Sequence, residues 1–183
     1  RAHWIEVVLT PAELASGTDR VHAALLALGE DCGVVLNVQG DEPELDAAAL
    51  GPLVAAFADP AVELATLAAP LGSVEEAEAP QVVKVIADAR GDALYFSRSV
   101  IPVRLPPAGT APASARPDAP PWLAVARRHL GVYAFRPAAL EEFCALPPGR
   151  LERLENLEQL RWLEAGRKLR VLETEHVSLG IDT

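Results

Sequence analysis

The sequence predicts an α/β fold built on a mixed, mainly parallel sheet with helices on both faces. Three observations carry that expectation. Strand-like and helix-like segments alternate from residue 5 to residue 68, the pattern of parallel strands joined by crossover helices. The apolar, β-branched run Val34 to Val38 breaks abruptly into Gln39-Gly40-Asp41-Glu42-Pro43. A strand buried on both faces ends in this way when its carboxyl edge opens onto a site. Two further strand-like runs flank Asp88-Ala89-Arg90-Gly91-Asp92, which reads as a hairpin and adds an antiparallel excursion over residues 82 to 100.

In chain order, Ile5 to Leu9 reads as a short strand. Ser16 or Thr18 caps a helix from Asp19 to Leu28, with Val21, Leu25 and Leu28 at helical spacing and Gly29 as its stop. After the central strand, Asp46 caps a helix to about Ala58 that buries Leu50, Leu53, Val54 and Phe57, and Asp59-Pro60 ends it. Val62 to Ala68 is the next strand, and Val82 to Ala87 with Ala93 to Ser97 make the hairpin. Leu105 to Pro121 holds six prolines in seventeen residues and reads as a mobile loop. Arg127 to Phe135 is a strand. Pro137 opens a helix to about Leu146, proline being at home in a first helical position. Leu151 to Ala165 is the strongest helical pattern, with Leu151, Leu154, Leu157, Leu160 and Leu163 along one face as core residues and Gly166 as stop. Leu169 to Glu173 is a last strand.

The 183 residues suffice for one domain with a real core. A formal charge of −10 argues against a nucleic-acid surface, which needs a basic stripe, and leaves an anionic ligand dependent on local cations or a metal. No apolar run reaches the length of a membrane-spanning helix. Cys32 and Cys144 form no CxxC pair and read as reduced, buried thiols, so a cytoplasmic protein is expected. The absence of methionine leads us to expect that Arg1 is not a translation start.

Several residues could carry chemistry, each with a plainer alternative. Asp41 and Asp182 follow short apolar or glycine-bearing stretches. Together at one sheet edge they would make a two-carboxylate Mg²⁺ site, though spacing alone cannot bring them together. Ser16-Gly17-Thr18-Asp19-Arg20 could present backbone N–H groups and hydroxyls to an anion or a base, or be a simple helix cap. Arg98 could grip a carboxylate as a bidentate fork, or make a surface ion pair. His129 and Tyr133, four apart on a strand, share a face and could hydrogen-bond a polyol, or be satisfied within the core. Glu155, Glu158, Gln159 and Arg161 lie off the leucine stripe, where solvated side chains are the rule. His3, His22 and His176 have no metal spacing.

Taken as an ordered set, these segments resemble one family. Ser16-Gly17-Thr18-Asp19-Arg20, Asn37-Val38-Gln39-Gly40-Asp41-Glu42-Pro43, Val83-Lys84-Val85, Ala93 to Ser99, Ile101-Pro102, His129-Leu130-Gly131-Val132-Tyr133, Leu157 to Arg161 and Gly180-Ile181-Asp182-Thr183 are similar to the motifs of the 3-deoxy-manno-octulosonate cytidylyltransferases, the CMP-Kdo synthetases of lipopolysaccharide biosynthesis. The similarity runs from about Ile5 to Thr183. Each motif is weak alone; their order is specific.

The resemblance implies a Rossmann-like sheet of the nucleotide-diphospho-sugar transferase type, with the 82–100 excursion as an arm of a homodimer. It implies that CTP and the sugar acid Kdo give CMP-Kdo and pyrophosphate. Asp41 and Asp182 would be the catalytic carboxylates and hold Mg²⁺. Ser16, Gly17, Thr18, Arg20 and Gly40 would face the nucleotide, and Gln39, Arg98, His129, Tyr133, Glu158 and Gln159 would line the sugar-acid pocket. Family members also begin with a glycine- and basic-rich phosphate loop and end in a further helix, neither of which occurs in residues 1–183. The chain is therefore expected to be one cytidylyltransferase domain without those two segments. Two alternatives remain open: a cytidylyltransferase for sialic acid or amino-Kdo, and a truncated relative that binds nucleotide or partners without turnover.

Overall fold

The computed structural model describes residues 7–29, 31–40, 47–103 and 121–175. Along them run α1 (Gly17–Leu28), β1 (Val35–Val38), α2 (Ala47–Ala55), a 3-10 turn (Ala56–Ala58), β2 (Leu64–Pro70), α3 (Val74–Glu78), β3 (Lys84–Ala87) and β4 (Ala93–Ser97). A second 3-10 turn (Pro121–Ala124), β5 (Arg127–Phe135), α4 (Pro137–Ala145), α5 (Arg150–Glu155), α6 (Gln159–Glu164) and β6 (Arg170–Glu173) follow.

The strands form one mixed sheet in the order β4-β3-β5-β2-β6, with β1 also on β5. The mixed α/β class is as expected, but the parallel share needs correcting. Among the described strands only β2 and β6 pair in parallel, while β1–β5, β2–β5, β3–β5 and β3–β4 are antiparallel. Because β1 and β2 both run antiparallel to β5, they point the same way, as strand–helix–strand alternation requires. They are not neighbours, because β5 inserts between them. That insertion comes from far along the chain and leaves no local trace.

β2 follows one edge of β5 from Arg127 to Phe135, so β3 at Arg127 and Arg128 and β1 at Val132 to Phe135 share the other. Opposite the Thr66–Leu67 step, β5 carries Gly131 and Val132 as extra residues. An even insertion preserves the period-2 alternation. His129 and Tyr133 thus stay on one face, their rings 5.5 Å apart.

Helices cover both faces. On one, Leu64, Ala68, Phe96, Tyr133, Phe135 and Val171 pack with α4 and α6 through Leu140, Phe143, Leu160 and Trp162, and Val21 and Leu25 of α1 lie against this cluster. On the other, Ala49, Leu53 and Phe57 of α2 and the turn after it cover Ala65, Leu67, Leu130, Val132 and Ala134. Strand β2 is buried on both faces, which its Leu-Ala-Thr-Leu-Ala-Ala composition suits.

The hairpin is where it was expected. Asp88 Oδ1 accepts from the N–H groups of Arg90 and Asp92 at 2.8 and 2.9 Å. Gly91 has φ +82°, and a Cβ there would come within 3.3 Å of the Val171 carbonyl. Only glycine fits such a position without strain. The turn end folds back onto β6, with Val171 N–H donating to Gly91 O at 2.7 Å and Ala93 N–H to Leu169 O at 2.8 Å. The excursion is therefore tied into the central sheet at both β5 and β6.

Three further expectations are corrected. Val7 to Leu9 form no strand among the described residues, and Val7 and Leu9 are exposed. The helix over 151–165 is two helices, broken at Asn156, whose φ of 53° is left-handed. Leu154 is 82% exposed, whereas Leu157 and Leu160 are buried. Leucines spaced strictly by three drift roughly 60° per step around a helix, so five of them cannot share one face. Helix α3, capped by the Ser73 hydroxyl accepting from Glu76 N–H at 3.1 Å, was not anticipated, although Ser73-x-x-Glu76 is a cap signature. Cys32 and Cys144 are both free and only half-buried. Among the described residues no helix is long and apolar enough to cross a membrane.

Candidate active site

Helix α1 opens with a capping box. Ser16 Oγ accepts from Asp19 N–H at 3.1 Å, and Asp19 Oδ2 accepts from Ser16 N–H at 3.2 Å. This fixes the first turn and turns Thr18 into the interior, where it is fully buried. Arg20 does not reach outward. Its guanidinium donates to Thr10 Oγ1 and to the carbonyls of Pro11, Ala12 and Leu14, folding the preceding loop onto the helix.

The end of β1 lies beside this turn. Asn37, a polar residue in an apolar strand, is buried and sits directly opposite Tyr133 of β5, which in turn opposes Thr66 of β2. Asn37 Nδ2 donates to Thr18 Oγ1 at 3.0 Å, and Gln39 Nε2 donates to Asn37 Oδ1 at 3.3 Å. Gly17 makes room for that amide, since a Cβ on it would lie 2.8 Å from Gln39 Oε1. Among the described residues nothing lies within 4 Å of where a Cβ on Gly40 would stand.

The break at Asn156 brings the start of α6 to the same place. Thr18 Oγ1 donates a short hydrogen bond to Glu158 Oε1. Burial raises the Glu158 carboxyl above the usual range, against the hydrogen bond from Thr18, the nearby Ser16 hydroxyl and the charge of Arg161. Burial, and then the charge of Glu158, push the Tyr133 hydroxyl well up. His129 sits against Phe96, ring centroids 4.9 Å apart, and burial pushes its imidazole down to about 3. Among the described residues two buried polar atoms here lack a protein partner: Glu158 Oε2, an acceptor, and Gln159 Nε2, a donor. One acceptor and one donor left open beside a tyrosine and a neutral histidine suit a hydroxyl-rich ligand.

Of the expected residues, the structure thus gathers Ser16, Gly17, Thr18, Gln39, His129, Tyr133, Glu158 and Gln159 around one face of the sheet. It sets Arg20 and Arg98 to other work. The Arg98 guanidinium donates to the carbonyls of Glu155, Pro80 and Asn156, at 2.8, 3.2 and 3.4 Å. Asp41 and Asp182 lie outside the described residues, which themselves contain no group of three or more His, Cys, Asp or Glu that could hold a metal.

Sequence reasoning gave no role to Asn37, Lys84 or Glu155. Lys84 is fully buried, and its Nζ donates to the carbonyls of Ala79, Val82 and Arg98. Desolvation, then the charge of Arg98, lowers its pKa, and Glu155 opposes this. Glu155 accepts from Ser97 Oγ at 2.7 Å and from Arg98 N–H at 2.9 Å. For Asn37 and Lys84 a signal existed: each is a lone polar residue inside an apolar run.

Residues 1–169 match the family model described as cytidylyltransferase, so the chain belongs to the cytidylyltransferases. A "3-deoxy-manno-octulosonate cytidylyltransferase" from Nitratidesulfovibrio vulgaris is 48% identical over 180 residues, 97% of this chain and 67% of the relative. One of the same name from Anaeromyxobacter sp. is 50% identical over 169 residues, 92% of this chain and 63% of the relative. The solved structure of a CMP:2-keto-3-deoxy-manno-octonic acid synthetase complexed with CTP superposes with a TM-score of 0.78 at 35% identity, covering 96% of this chain and 66% of that one. Within the cytidylyltransferases, the chain belongs to the 3-deoxy-manno-octulosonate cytidylyltransferase family. It spans about two thirds of the length of these relatives.

Proposed function

We propose that the protein carrying this chain activates Kdo for lipopolysaccharide biosynthesis, converting CTP and Kdo to CMP-Kdo and pyrophosphate. The anomeric hydroxyl of the sugar acid attacks the α-phosphorus of CTP, a P–O bond forms to the sugar, and the bond to pyrophosphate breaks. Both reactants are anions, so the protein's task is to hold them together and offset their charge. The observation that supports this reading is the pair of buried atoms without a partner among the described residues, Glu158 Oε2 and Gln159 Nε2, at the start of α6, where Glu158 acts on Tyr133.

In this reading Gln39, His129, Tyr133, Glu158 and Gln159 line the sugar-acid side. Ser16, Gly17 and Gly40 border the nucleotide side. Arg20 and Arg98 shape the walls through the carbonyls they bind. Asp41, the residue after Gly40 at the end of β1, and Asp182 hold Mg²⁺. Two carboxylates that leave positions for phosphate oxygens and water suit that cation. When bound, Mg²⁺ supplies positive charge beside the triphosphate. A cytoplasmic homodimer belongs to the same proposal.

The test is pyrophosphate release by the intact protein with CTP, Mg²⁺ and each of Kdo, amino-Kdo and N-acetylneuraminic acid. Kdo should exceed the others in kcat/KM by at least about tenfold, the order that a few mismatched polar contacts give. A preference for another sugar acid would reassign the pocket. Calorimetric CTP binding without turnover on any of them would favour a non-catalytic relative.

A further inference from the structure

We infer that Thr18 is a positioning residue: its hydroxyl closes a one-way hydrogen-bond relay from Gln39 through Asn37 to Glu158, and so aims the open oxygen of Glu158 at the sugar acid. The inference rests on the proposed function only in taking that oxygen as a ligand contact.

The direction of the relay follows from its end. Thr18 spends its one proton on Glu158 Oε1. Thr18 Oγ1 is then an acceptor toward Asn37, which must present its NH₂, as the 3.0 Å contact from Nδ2 shows. Asn37 Oδ1 is left facing Gln39, which must present its own NH₂, at 3.3 Å. Gln39 Oε1 is thereby turned toward Gly17, the residue with no Cβ to obstruct it. One carboxylate thus sets the orientation of two amides and a hydroxyl.

Thr18 and Asn37 are buried, and the Thr18 hydroxyl both donates and accepts within the protein. Its side chain therefore acts through Glu158 and not on a nucleotide. Its branched Cβ restricts χ1, which keeps the hydroxyl on line. The relay also joins the two halves of the site. Gln39 stands one residue before Gly40 at the end of β1, while Glu158 opens α6. Other charged or titratable groups act on Glu158 from each side: Asp19 on α1, Arg161 on α6, Tyr133 on β5 and Cys144 on α4. Arg161, the cation among them, is engaged by the Glu152 carboxylate.

The test compares Thr18→Val, which keeps shape and removes the hydroxyl, with Thr18→Ser, which keeps the hydroxyl, in the intact protein. Steady-state kinetics with CTP and Kdo are one readout. The other is the ¹³C titration of the Glu158 carboxyl, assigned by its loss in Glu158→Gln. Thr18→Val should raise KM for Kdo by about tenfold or more, as for a lost hydrogen bond to a charged group, and leave KM for CTP within about twofold. It should also move the Glu158 titration to higher pH. Thr18→Ser should recover Kdo affinity to within about threefold and restore the titration. A rise in KM for CTP instead, equal damage by Val and Ser, or an unmoved Glu158 titration in Thr18→Val would overturn the relay. If the unaltered protein does not turn over Kdo, the sugar-acid assignment has failed and the titration alone decides the relay. If Thr18→Val does not fold, Gln39→Leu at the relay's half-buried outer end must shift the Glu158 titration the same way, and no shift overturns the inference.

Discussion

Thr66 fixes the tautomer of His129. Thr66 Oγ1 lies 2.7 Å from the Val132 carbonyl, to which it donates, and 3.0 Å from His129 Nε2. Its one proton is spent, so His129 Nε2 carries the hydrogen and Nδ1 is left with a lone pair. Burial holds this ring neutral, its pKa pushed down to about 3.

A stability slope in acid follows. Between about 3 and 6.5 the unfolded chain binds a proton at this histidine and the folded chain does not, so stability falls as pH drops through that window. The contribution is at most about 1.4 kcal/mol per pH unit. Urea denaturation at several pH values should show His129→Gln to be less acid-sensitive than the parent. In NMR spectra the His129 ring should remain a neutral Nε2–H tautomer from pH 8 to pH 5. A midpoint for this ring near 6.5 would contradict the account.

How much of this was legible in the sequence divides by range. The Ser16 cap, the 88–92 turn and the limits of β5 rest on neighbours within a few residues, and residue pattern reveals such features. The insertion of β5 between β1 and β2 is long-range, and alternation of elements alone could not reveal it. The break at Asn156 was hidden for a similar reason. Its carbonyl and that of Glu155 are taken by Arg98, and the Glu155 side chain by Ser97 and Arg98, so bonds from the end of β4 replace helical ones. Of the site, the segments that carry the family resemblance led to the cluster around Glu158, while the parts played by Arg20, Arg98 and Lys84 depend on carbonyls no pattern reports.

Lys84 carries the clearest prediction for stability. Three carbonyls converge on its buried ammonium, and Lys84→Met would leave them without a donor. The cost should be about 3 kcal/mol, measured as a lower urea midpoint, with the loss concentrated where the 79–82 segment meets the end of β4. A change below about 0.5 kcal/mol would mean the carbonyls find other partners.

Gly17→Ala separates stability from function. The nearest atoms to the added Cβ belong to the movable amide of Gln39, so the fold should tolerate it. Thermal unfolding should be unchanged. KM for Kdo should nonetheless rise, because Gln39 must leave the position that Asn37 sets for it. An unchanged KM would show that the Gln39 amide has no bearing on the sugar acid.

The most direct check on the whole account is Mg²⁺-dependent pyrophosphate release from CTP and Kdo in Asp41→Asn beside the unaltered intact protein. Removing one of two carboxylate charges should lower turnover by at least about a hundredfold at fixed Mg²⁺, while circular dichroism and the unfolding midpoint stay as they were. Full activity with an unaltered Mg²⁺ requirement in Asp41→Asn would contradict it.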